Sequence, residues 1–179
     1  MDPRVTPEDD TLPTKRTLNM PDIHPTALKV KNLLHDMGFE IKVLEFPQGT
    51  KTSQDAAFCV GCEIAQIAKS IVFRAKIKGD CVIVVASGAH RVDERKVEKL
   101  IGEKLSKGDA DFVREKTGYV IGGVAPVGHT TVCRTFIDES LLSYEIIYGA
   151  AGTPNAVFAM APADLLKMTG GQVADVKQE

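Results

Sequence analysis

The feature that most constrains the fold is a pair of β-strand patterns joined by a tight turn near the middle of the chain. Residues 70–77 form the first pattern, a Lys-Gly-Asp turn follows, and Cys81–Ser87 forms the second. This arrangement predicts an antiparallel hairpin. The second pattern holds five consecutive apolar or small residues, which is typical of a strand that is buried on both faces. We therefore expect it to be a central strand of a larger sheet.

Helical patterns and further strand patterns lie on both sides of the hairpin. Pro25 opens a helix that ends at Gly38, and Thr52 or Ser53 can cap a short helix that ends at Gly61. Further helices are predicted to begin at Asp93, Asp109 and Pro162. Further strands are predicted in four segments, residues 41–46, 131–137, 145–148 and 156–160. Strands and helices do not alternate regularly, so the predicted fold class is α+β. We expect a single domain with a mixed, partly barrel-like β-sheet that is flanked by helices.

The first 21 residues differ in composition from the rest of the chain. Residues 1–21 are rich in Pro, Thr and Asp and show no hydrophobic periodicity, which predicts a flexible N-terminal arm. The chain has 179 residues and is 44% hydrophobic, which is enough for one globular domain with a sizeable core. We therefore expect one domain over residues 22–179.

Composition also argues against several classes of partner. No apolar run approaches the ~20 residues that a membrane-spanning helix needs, and the N-terminus lacks the apolar core of a signal peptide. We therefore expect a cytoplasmic protein without a membrane partner. The formal net charge of −2 argues against DNA binding and against non-specific binding to any nucleic acid. It still allows a local basic patch that contacts one end of a nucleic acid.

A glycine-rich loop at residues 117–129, TGYVIGGVAPVGH, is the strongest candidate for a ligand site. An apolar, strand-like run leads into Gly122 and Gly123, which leave no Cβ between the backbone and a ligand. Pro126 fixes its own φ and favours an extended Ala125, so the loop has a defined shape. Such a loop can hold a ligand through main-chain N–H and C=O groups, although the spacing also fits an ordinary tight turn. It matches neither a dinucleotide-binding fingerprint nor a P-loop.

Two further places are candidates for chemistry. Lys69 lies where a short predicted helix, from about Glu63 to Ala68, meets a buried strand. We therefore expect its side chain to be half removed from water and to donate directed hydrogen bonds. An ordinary surface lysine is the alternative. The segment 151–155, with Gly152 and Asn155, is a second glycine-bearing loop, which by itself indicates only a turn. Among four histidines, His129 is the one that we place at the site because it adjoins the first loop.

The cysteines do not predict a metal site. Cys59 and Cys62 form a C-x-x-C pair, which can be redox-active or half of a zinc site. A tetrahedral zinc site needs a second pair, whereas Cys81 and Cys133 lie singly in apolar, strand-like runs. We therefore interpret Cys59 and Cys62 as buried structural thiols, and we expect neither a metal nor a cofactor.

Taken together, four motifs in this order resemble the YbaK/prolyl-tRNA-synthetase-associated domain family. Its members are free-standing relatives of the editing domain that is inserted in bacterial prolyl-tRNA synthetases. The motifs are Ala-Lys69-Ser70-Ile-Val-Phe, the glycine loop at 117–129, Gly152-Thr-Pro-Asn155-Ala-Val-Phe and Pro162-Ala-Asp-Leu. The resemblance covers roughly residues 24–176, essentially everything but the arm.

The resemblance implies hydrolysis of mischarged aminoacyl-tRNA, chiefly tRNA(Pro) that carries a small wrong amino acid such as Ala or Cys. A water attacks the ester with help from the substrate's own terminal ribose hydroxyl, so no protein nucleophile is needed. The implied partners are the aminoacylated 3′ end of tRNA and, as a candidate, prolyl-tRNA synthetase. The implied catalytic residue is Lys69, and the substrate-binding residues are Gly122, Gly123, Val124, Ala125, Pro126, His129, Ser70, Thr52, Gly152 and Asn155.

One departure from the family pattern leaves the amino acid open. Cysteine-specific members carry an Asp where residues 156–160 of this chain are apolar, and a Lys-Arg-Gly run where this chain has Thr-Pro-Asn at 153–155. A deacylase for alanine, or for alanine-like and slightly larger side chains, fits about as well. A non-catalytic module that binds tRNA or a synthetase is one alternative, and a small-molecule-binding module that shares only the fold is another. Lys69 together with the G-x-x-x-P loop favours the enzyme, because a binding module does not need both.

Overall fold

The computed structural model describes residues 23–179, so the predicted arm at 1–21 lies outside the described residues. Within that range there are five α-helices, eight β-strands and two short 3₁₀ helices, at Ile64–Gln66 and Glu139–Ser143. The helices are α1 (Pro25–Asp36), α2 (Ser53–Val60), α3 (Glu94–Ile101), α4 (Ala110–Thr117) and α5 (Pro162–Thr169). The strands are β1 (Val43–Glu45), β2 (Ile67–Ala75), β3 (Cys81–Ser87), β4 (Leu105–Lys107), β5 (Arg134–Asp138), β6 (Ile147–Ala150), β7 (Ala156–Met160) and β8 (Gln172–Ala174).

Helices α2, α3 and α4 begin at capping residues that the sequence predicts, whereas α1 ends at Asp36 and not at Gly38. In α2 the Thr52 hydroxyl accepts a hydrogen bond from Asp55 N at 3.0 Å, and Gly61 ends the helix with φ 78°. A left-handed φ of this kind is strained for residues that carry a Cβ, so glycine is the natural stop. Asp93 and Asp109 cap α3 and α4 through their carboxylates in the same way. The predicted helix starts at these residues are therefore confirmed.

The sheet is mixed, and its strand order is β1-β7-β6-β2-β3-β5-β8, with β4 paired to β2 as well. β2 and β3 form the predicted antiparallel hairpin. The pairs β2–β6, β3–β5 and β5–β8 are parallel, and the others are antiparallel. The α+β class with a mixed sheet and flanking helices is confirmed. The sheet does not close into a barrel, because no pairing among the described residues joins β1 to β8.

Strand β3 divides the core into two layers. Ile83 and Val85 belong to a hydrophobic cluster on one face of the sheet, together with Leu34 of α1. Val82 and Val84 belong to a second cluster on the other face. Successive residues of a strand point to opposite faces, and here both faces are buried. The prediction that β3 is a central strand is therefore confirmed. Among residues 23–179, no helix is long and apolar enough to cross a membrane.

The start of β2 differs from the prediction. The sequence suggested a short helix through residues 63–68, but only the 3₁₀ turn Ile64–Gln66 is helical, and β2 already begins at Ile67. The physical reason is non-local: Ile67 and Ala68 pair in parallel with Tyr148 and Gly149 of β6. Lys69 is therefore the third residue of a strand, and it does not lie at a helix–strand junction.

The two-sided burial of β3 predicts a clear difference between two isoleucines of the hairpin. Ile83→Val removes a methyl group from a side chain with 0% exposure and should lower the free energy of unfolding by about 1 kcal/mol. The matched control Ile77→Val, at a residue that is 81% exposed in the turn, should change it by less than about 0.5 kcal/mol. Urea denaturation of both variants measures the difference. Equal effects would contradict a core centred on β3.

Candidate functional site

The candidate site lies at a gap in the sheet beside β2. β3 pairs with one edge of β2 from Ala68 to Arg74. The opposite edge is shared between β6, which pairs only as far as Ala68, and β4, whose pairing begins at Phe73. Next to this second pairing, Gly108 N donates to Val72 O at 2.9 Å. The backbone groups of alternate strand residues point to the same edge, so the N–H and C=O of Ser70 are directed into the gap.

The glycine loop covers this gap and packs closely against the second glycine-bearing loop. Gly122 has φ 93°, and a Cβ there would lie 2.9 Å from Lys51 Cγ. A Cβ on Gly123 would lie 2.5 Å from the backbone carbon of Thr153, which is closer than real Cβ contacts come. The two loops can therefore touch only because residue 123 has no side chain. This contact joins two segments that the sequence presents about thirty residues apart.

Asn155 and Thr50 hold the second loop in place. The Asn155 side-chain amide donates to Phe46 O at 3.0 Å. Thr50 donates twice to Pro154 O, from its backbone N at 2.6 Å and from its hydroxyl at 2.9 Å. The chain that leads into α2 and the loop before β7 therefore form one hydrogen-bonded unit.

Tyr119 and His129 close the glycine loop on itself. The Tyr119 hydroxyl donates to Val127 O at 2.7 Å, and burial raises the pKa of this hydroxyl to about 12. His129 Nε2 lies 2.8 Å from Ala125 O, and since a carbonyl only accepts, Nε2 carries the hydrogen. Burial lowers the pKa of His129, while the bond to Ala125 opposes that shift. The predicted strand-like run at 119–121 is wrong, because Gly123 N donates to Val120 O in a turn.

Two cavities lie on either side of a wall formed by Lys69, Ser70, Gly122 and Val124. The first cavity has a volume of about 50 Å³, and its other walls carry mainly hydroxyl groups and small apolar side chains, including Thr50, Thr52, Ser53, Ala56, Tyr148 and Val157. The second cavity has a volume of about 130 Å³ and is lined by the apolar residues Ile71, Val72, Val113 and Ile121, with Lys107 and Gly108. The gap in the sheet is thus divided in two by the glycine loop.

The structure separates the predicted site residues into two groups. Thr52, Ser70, Lys69, Gly122 and Val124 line the first cavity. The others line neither cavity: Gly123, Ala125, Pro126, His129, Gly152 and Asn155. The expectation that Lys69 is half removed from water is wrong, because its side chain is exposed.

Several lining residues were missed by the sequence interpretation. Thr50 and Ser53 belong to the run Thr-Lys-Thr-Ser that leads into α2, in which only Thr52 was assigned to the site. The density of hydroxyl groups in this run was the available signal. Tyr148 of β6 and Val157 of β7 reach the cavity only because of strand pairing. No local pattern in the sequence marks these two residues.

The interpretation of the C-x-x-C pair needs a correction. Cys59 and Cys62 are each half-buried, so the expectation that both are buried is wrong. Cys59 packs with its thiol 3.9 Å from Gly49 O, and burial raises the pKa of Cys62. Among residues 23–179, no group of three or more His, Cys, Asp or Glu side chains could hold a metal ion.

Comparisons with known proteins point to one family. A family model described as an aminoacyl-tRNA editing domain matches residues 47–168. An uncharacterised protein of Bacillus subtilis, YwhH, is 33% identical over 75% of this chain and 85% of its own length. EbsC of Enterococcus faecalis, provisionally named a Cys-tRNA(Pro)/Cys-tRNA(Cys) deacylase, is 28% identical over 70% of this chain and 76% of its own. A crystal structure described provisionally as a trans-editing enzyme for prolyl-tRNA synthetase superposes with a TM-score of 0.84 at 43% identity. It covers 88% of this chain and 100% of that one.

The close contact of the two loops predicts that Gly123→Ala is strongly destabilising. The new methyl group would collide with the Thr153 backbone, and relieving that overlap should cost about 1–3 kcal/mol of unfolding free energy. Gly102→Ala is the control, because nothing lies within 4 Å of that position and only its φ of 83° is strained. Thermal and urea denaturation measure both. Gly102→Ala should lose stability only through the backbone strain of its positive φ. Gly123→Ala should also displace the loop at 153–154, so the Thr50 backbone N–H, which donates to Pro154 O, should exchange its hydrogen faster.

The lowered pKa of His129 predicts a pH-dependent loss of stability. The unfolded chain binds a proton at His129 more readily than the folded protein, so stability falls as the pH drops below about 6.5. His129→Gln can keep a donor near Ala125 O but cannot titrate. It should therefore lose less stability than the wild type between about pH 8 and pH 5 in urea denaturation. Equal losses in the two proteins would contradict a buried, neutral His129.

Proposed function

This chain belongs to the aminoacyl-tRNA editing domain family and is an aminoacyl-tRNA deacylase, and we propose that its substrate is tRNA(Pro) carrying a small non-cognate amino acid such as alanine or cysteine. Binding alone discriminates poorly between amino acids that differ by one methylene, about 1–3 kcal/mol, so synthetases release mischarged products. A separate hydrolytic site then removes those that are small enough to enter it.

The observation that carries this proposal is the small size of the first cavity. Its volume of about 50 Å³ is a third of the ~150 Å³ that accommodates a six-carbon benzene ring. A side chain of one or two heavy atoms fits such a space, which corresponds to the methyl of alanine or the CH₂–SH of cysteine. The proline side chain is larger, since its three carbons close a five-membered ring with Cα and the backbone nitrogen, so this site would spare the correctly charged tRNA(Pro). The hydroxyl groups of Thr50 and Thr52 leave serine as a further substrate to test.

The composition of the first cavity favours hydrolysis by water without a protein nucleophile–base pair. None of the described residues that line it is a histidine, a cysteine or a carboxylate. We infer that a water attacks the ester carbonyl and that the neighbouring hydroxyl of the terminal ribose assists the proton transfer. Fixed N–H groups of the gap and of the glycine loop, including that of Ser70, would stabilise the negative charge on the carbonyl oxygen. Such preorganised dipoles act strongly where water is excluded.

Lys69 is the proposed catalytic residue because it lines both cavities and its side chain is exposed. A cation there can hold the aminoacylated 3′ end of the tRNA and orient its ester over the first cavity. Two other exposed lysines, Lys51 and Lys107, line the same cavities, so the mouth of the site is locally basic although the chain is acidic overall. Prolyl-tRNA synthetase as a partner and a cytoplasmic location remain predictions.

The test is a deacylation assay that uses Ala-, Cys-, Ser- and Thr-tRNA(Pro) side by side. We expect hydrolysis of the smaller aminoacyl groups and sparing of Pro-tRNA(Pro). Lys69→Ala should lower kcat/KM about 100-fold, as the loss of one electrostatic contact to a transition state typically does. The control Lys78→Ala removes an exposed lysine from the hairpin turn and should leave the rate unchanged.

The assay also separates the enzyme from its main alternative. A non-catalytic module would bind misacylated tRNA(Pro) without shortening the lifetime of the ester. Unchanged turnover in Lys69→Ala, with an unchanged melting temperature, would show that Lys69 is an ordinary surface lysine.

A further inference from the structure

Cys81 and Cys133 lie side by side in the sheet, although they are far apart in the sequence. The parallel register of β3 and β5 pairs Val82 with Arg134, and one residue earlier it sets Cys133 beside Cys81. Both side chains point to the same face, because Cys81 belongs to the hydrophobic cluster that contains Leu34 and Cys133 packs against that cluster. Neighbouring strands lie about 4.8 Å apart, and disulfides join residues whose Cα atoms are about 4.4–6.8 Å apart. The backbone at this pair therefore allows a disulfide bond.

The two thiols differ in their contact with solvent. Cys81 is buried, with 3% exposure, whereas Cys133 is half-buried and lies between two exposed residues, Val132 and Arg134. A dissolved reagent can therefore reach Cys133 but not Cys81. An accessible thiol with a second thiol directly behind it is the arrangement of a reactive cysteine and its resolving cysteine.

The surroundings of Cys133 also favour its thiolate, which is the form of a cysteine that reacts. A hydrogen bond from the Cys81 thiol lowers the pKa of Cys133, burial opposes this shift, and the positive charge of Lys116 adds to it. The same hydrogen bond raises the pKa of Cys81, so Cys81 keeps its proton while Cys133 loses one. In the C-x-x-C pair, by contrast, burial raises the pKa of Cys62.

We propose that Cys133 is a site of oxidation by peroxides and that Cys81 converts the oxidised Cys133 into a reversible disulfide bond. The Cys133 thiolate attacks one peroxide oxygen, the O–O bond breaks, and the other oxygen takes up the Cys133 proton and leaves as water or an alcohol. Cys133 is then a sulfenic acid. The Cys81 sulfur attacks the Cys133 sulfur, the S–O bond breaks, and the hydroxyl group leaves with the Cys81 proton as water. The two thiols lose two electrons in total, and one peroxide is reduced.

The disulfide would tie the segment that leaves the glycine loop to the central strand of the sheet. That segment is already attached to the end of α4, because Thr131 donates to Lys116 O from its backbone N at 3.1 Å and from its hydroxyl at 2.8 Å. The new bond would close a covalent loop over residues 81–133, which contains α3, α4 and the glycine loop. Closing a loop of this length restricts the unfolded chain, so the oxidised protein should be more stable than the reduced one.

Peptide mapping of the full-length wild-type protein tests the proposal. Trypsin cleaves after lysine and arginine, so Cys81 falls in peptide 79–91, Cys133 in peptide 117–134, and Cys59 together with Cys62 in peptide 52–69. Hydrogen peroxide, followed by alkylation of the remaining thiols, should produce peptide 79–91 linked to peptide 117–134. Dithiothreitol should abolish this link. Oxidation confined to peptide 52–69, or a link between two copies of peptide 117–134, would overturn the proposal.

Three variants separate the roles of the thiols. In Cys81→Ala, peroxide should leave Cys133 as a sulfenic acid that dimedone labels, because the resolving thiol is gone. In Cys133→Ser, Cys81 should stay reduced, because it is buried. The control with both Cys59→Ser and Cys62→Ser should form the link at the wild-type rate. If Cys81 is oxidised as fast in Cys133→Ser as in the wild type, Cys133 is not the reactive thiol and the proposal is wrong.

Thermal denaturation measures the effect of the bond on the fold. The melting temperature of the peroxide-treated protein should exceed that of the reduced protein by more than about 4 °C, and dithiothreitol should reverse the increase. An unchanged or lower melting temperature in the fully linked protein would mean that the bond distorts the sheet, which would contradict native placement of the two thiols. None of these measurements depends on deacylation.

Discussion

The site depends on one constraint in the sheet, which is the change of partner along one edge of β2. β6 leaves that edge after Ala68, and β4 joins it only at Phe73. The backbone groups between them face a gap, although β3 protects the other edge throughout. Main-chain donors and acceptors that lack a strand partner need another one, and a polar ligand can supply it. The gap therefore forms a potential binding site from backbone atoms alone.

The glycines of the two loops follow from that constraint. A cover over a gap between strands must approach closely, and Gly123 meets the Thr153 backbone at a distance that a side chain would prevent. Gly122 takes a positive φ where the chain turns beside Lys51. His129 and Asn155 contribute to the site indirectly, because their hydrogen bonds hold each loop in its shape. Some motif residues of this site therefore line a cavity, and others hold the loops that carry the lining residues.

Sequence patterns predicted the features that depend on neighbours in the chain. The helix caps, the β2–β3 hairpin and the burial of β3 arise from local hydrogen bonding and periodicity, and the structure contains all of them. The parallel pairing of Ile67 and Ala68 with β6 joins residues about eighty positions apart, and no local pattern encodes it. That pairing extends β2 and places Lys69 on an exposed strand position. The same pairing brings Tyr148 towards the cavity, so the wrong expectation for Lys69 and the omission of Tyr148 have one cause.

A site built from backbone dipoles, small side chains and lysines can separate chemistry from the choice of amino acid. If the proposed function is correct, its selectivity comes from volume, and the residues that line the volume include those of β2, α2 and the glycine loop. Ala56 of α2, at 2% exposure, lines the first cavity, so the packing of that short helix would adjust the size of the accepted amino acid. A relative could change substrate by altering this packing while it retains the lysine and both loops. This separation of chemistry from selectivity is expected where water is the nucleophile and the enzyme supplies position and fixed charge.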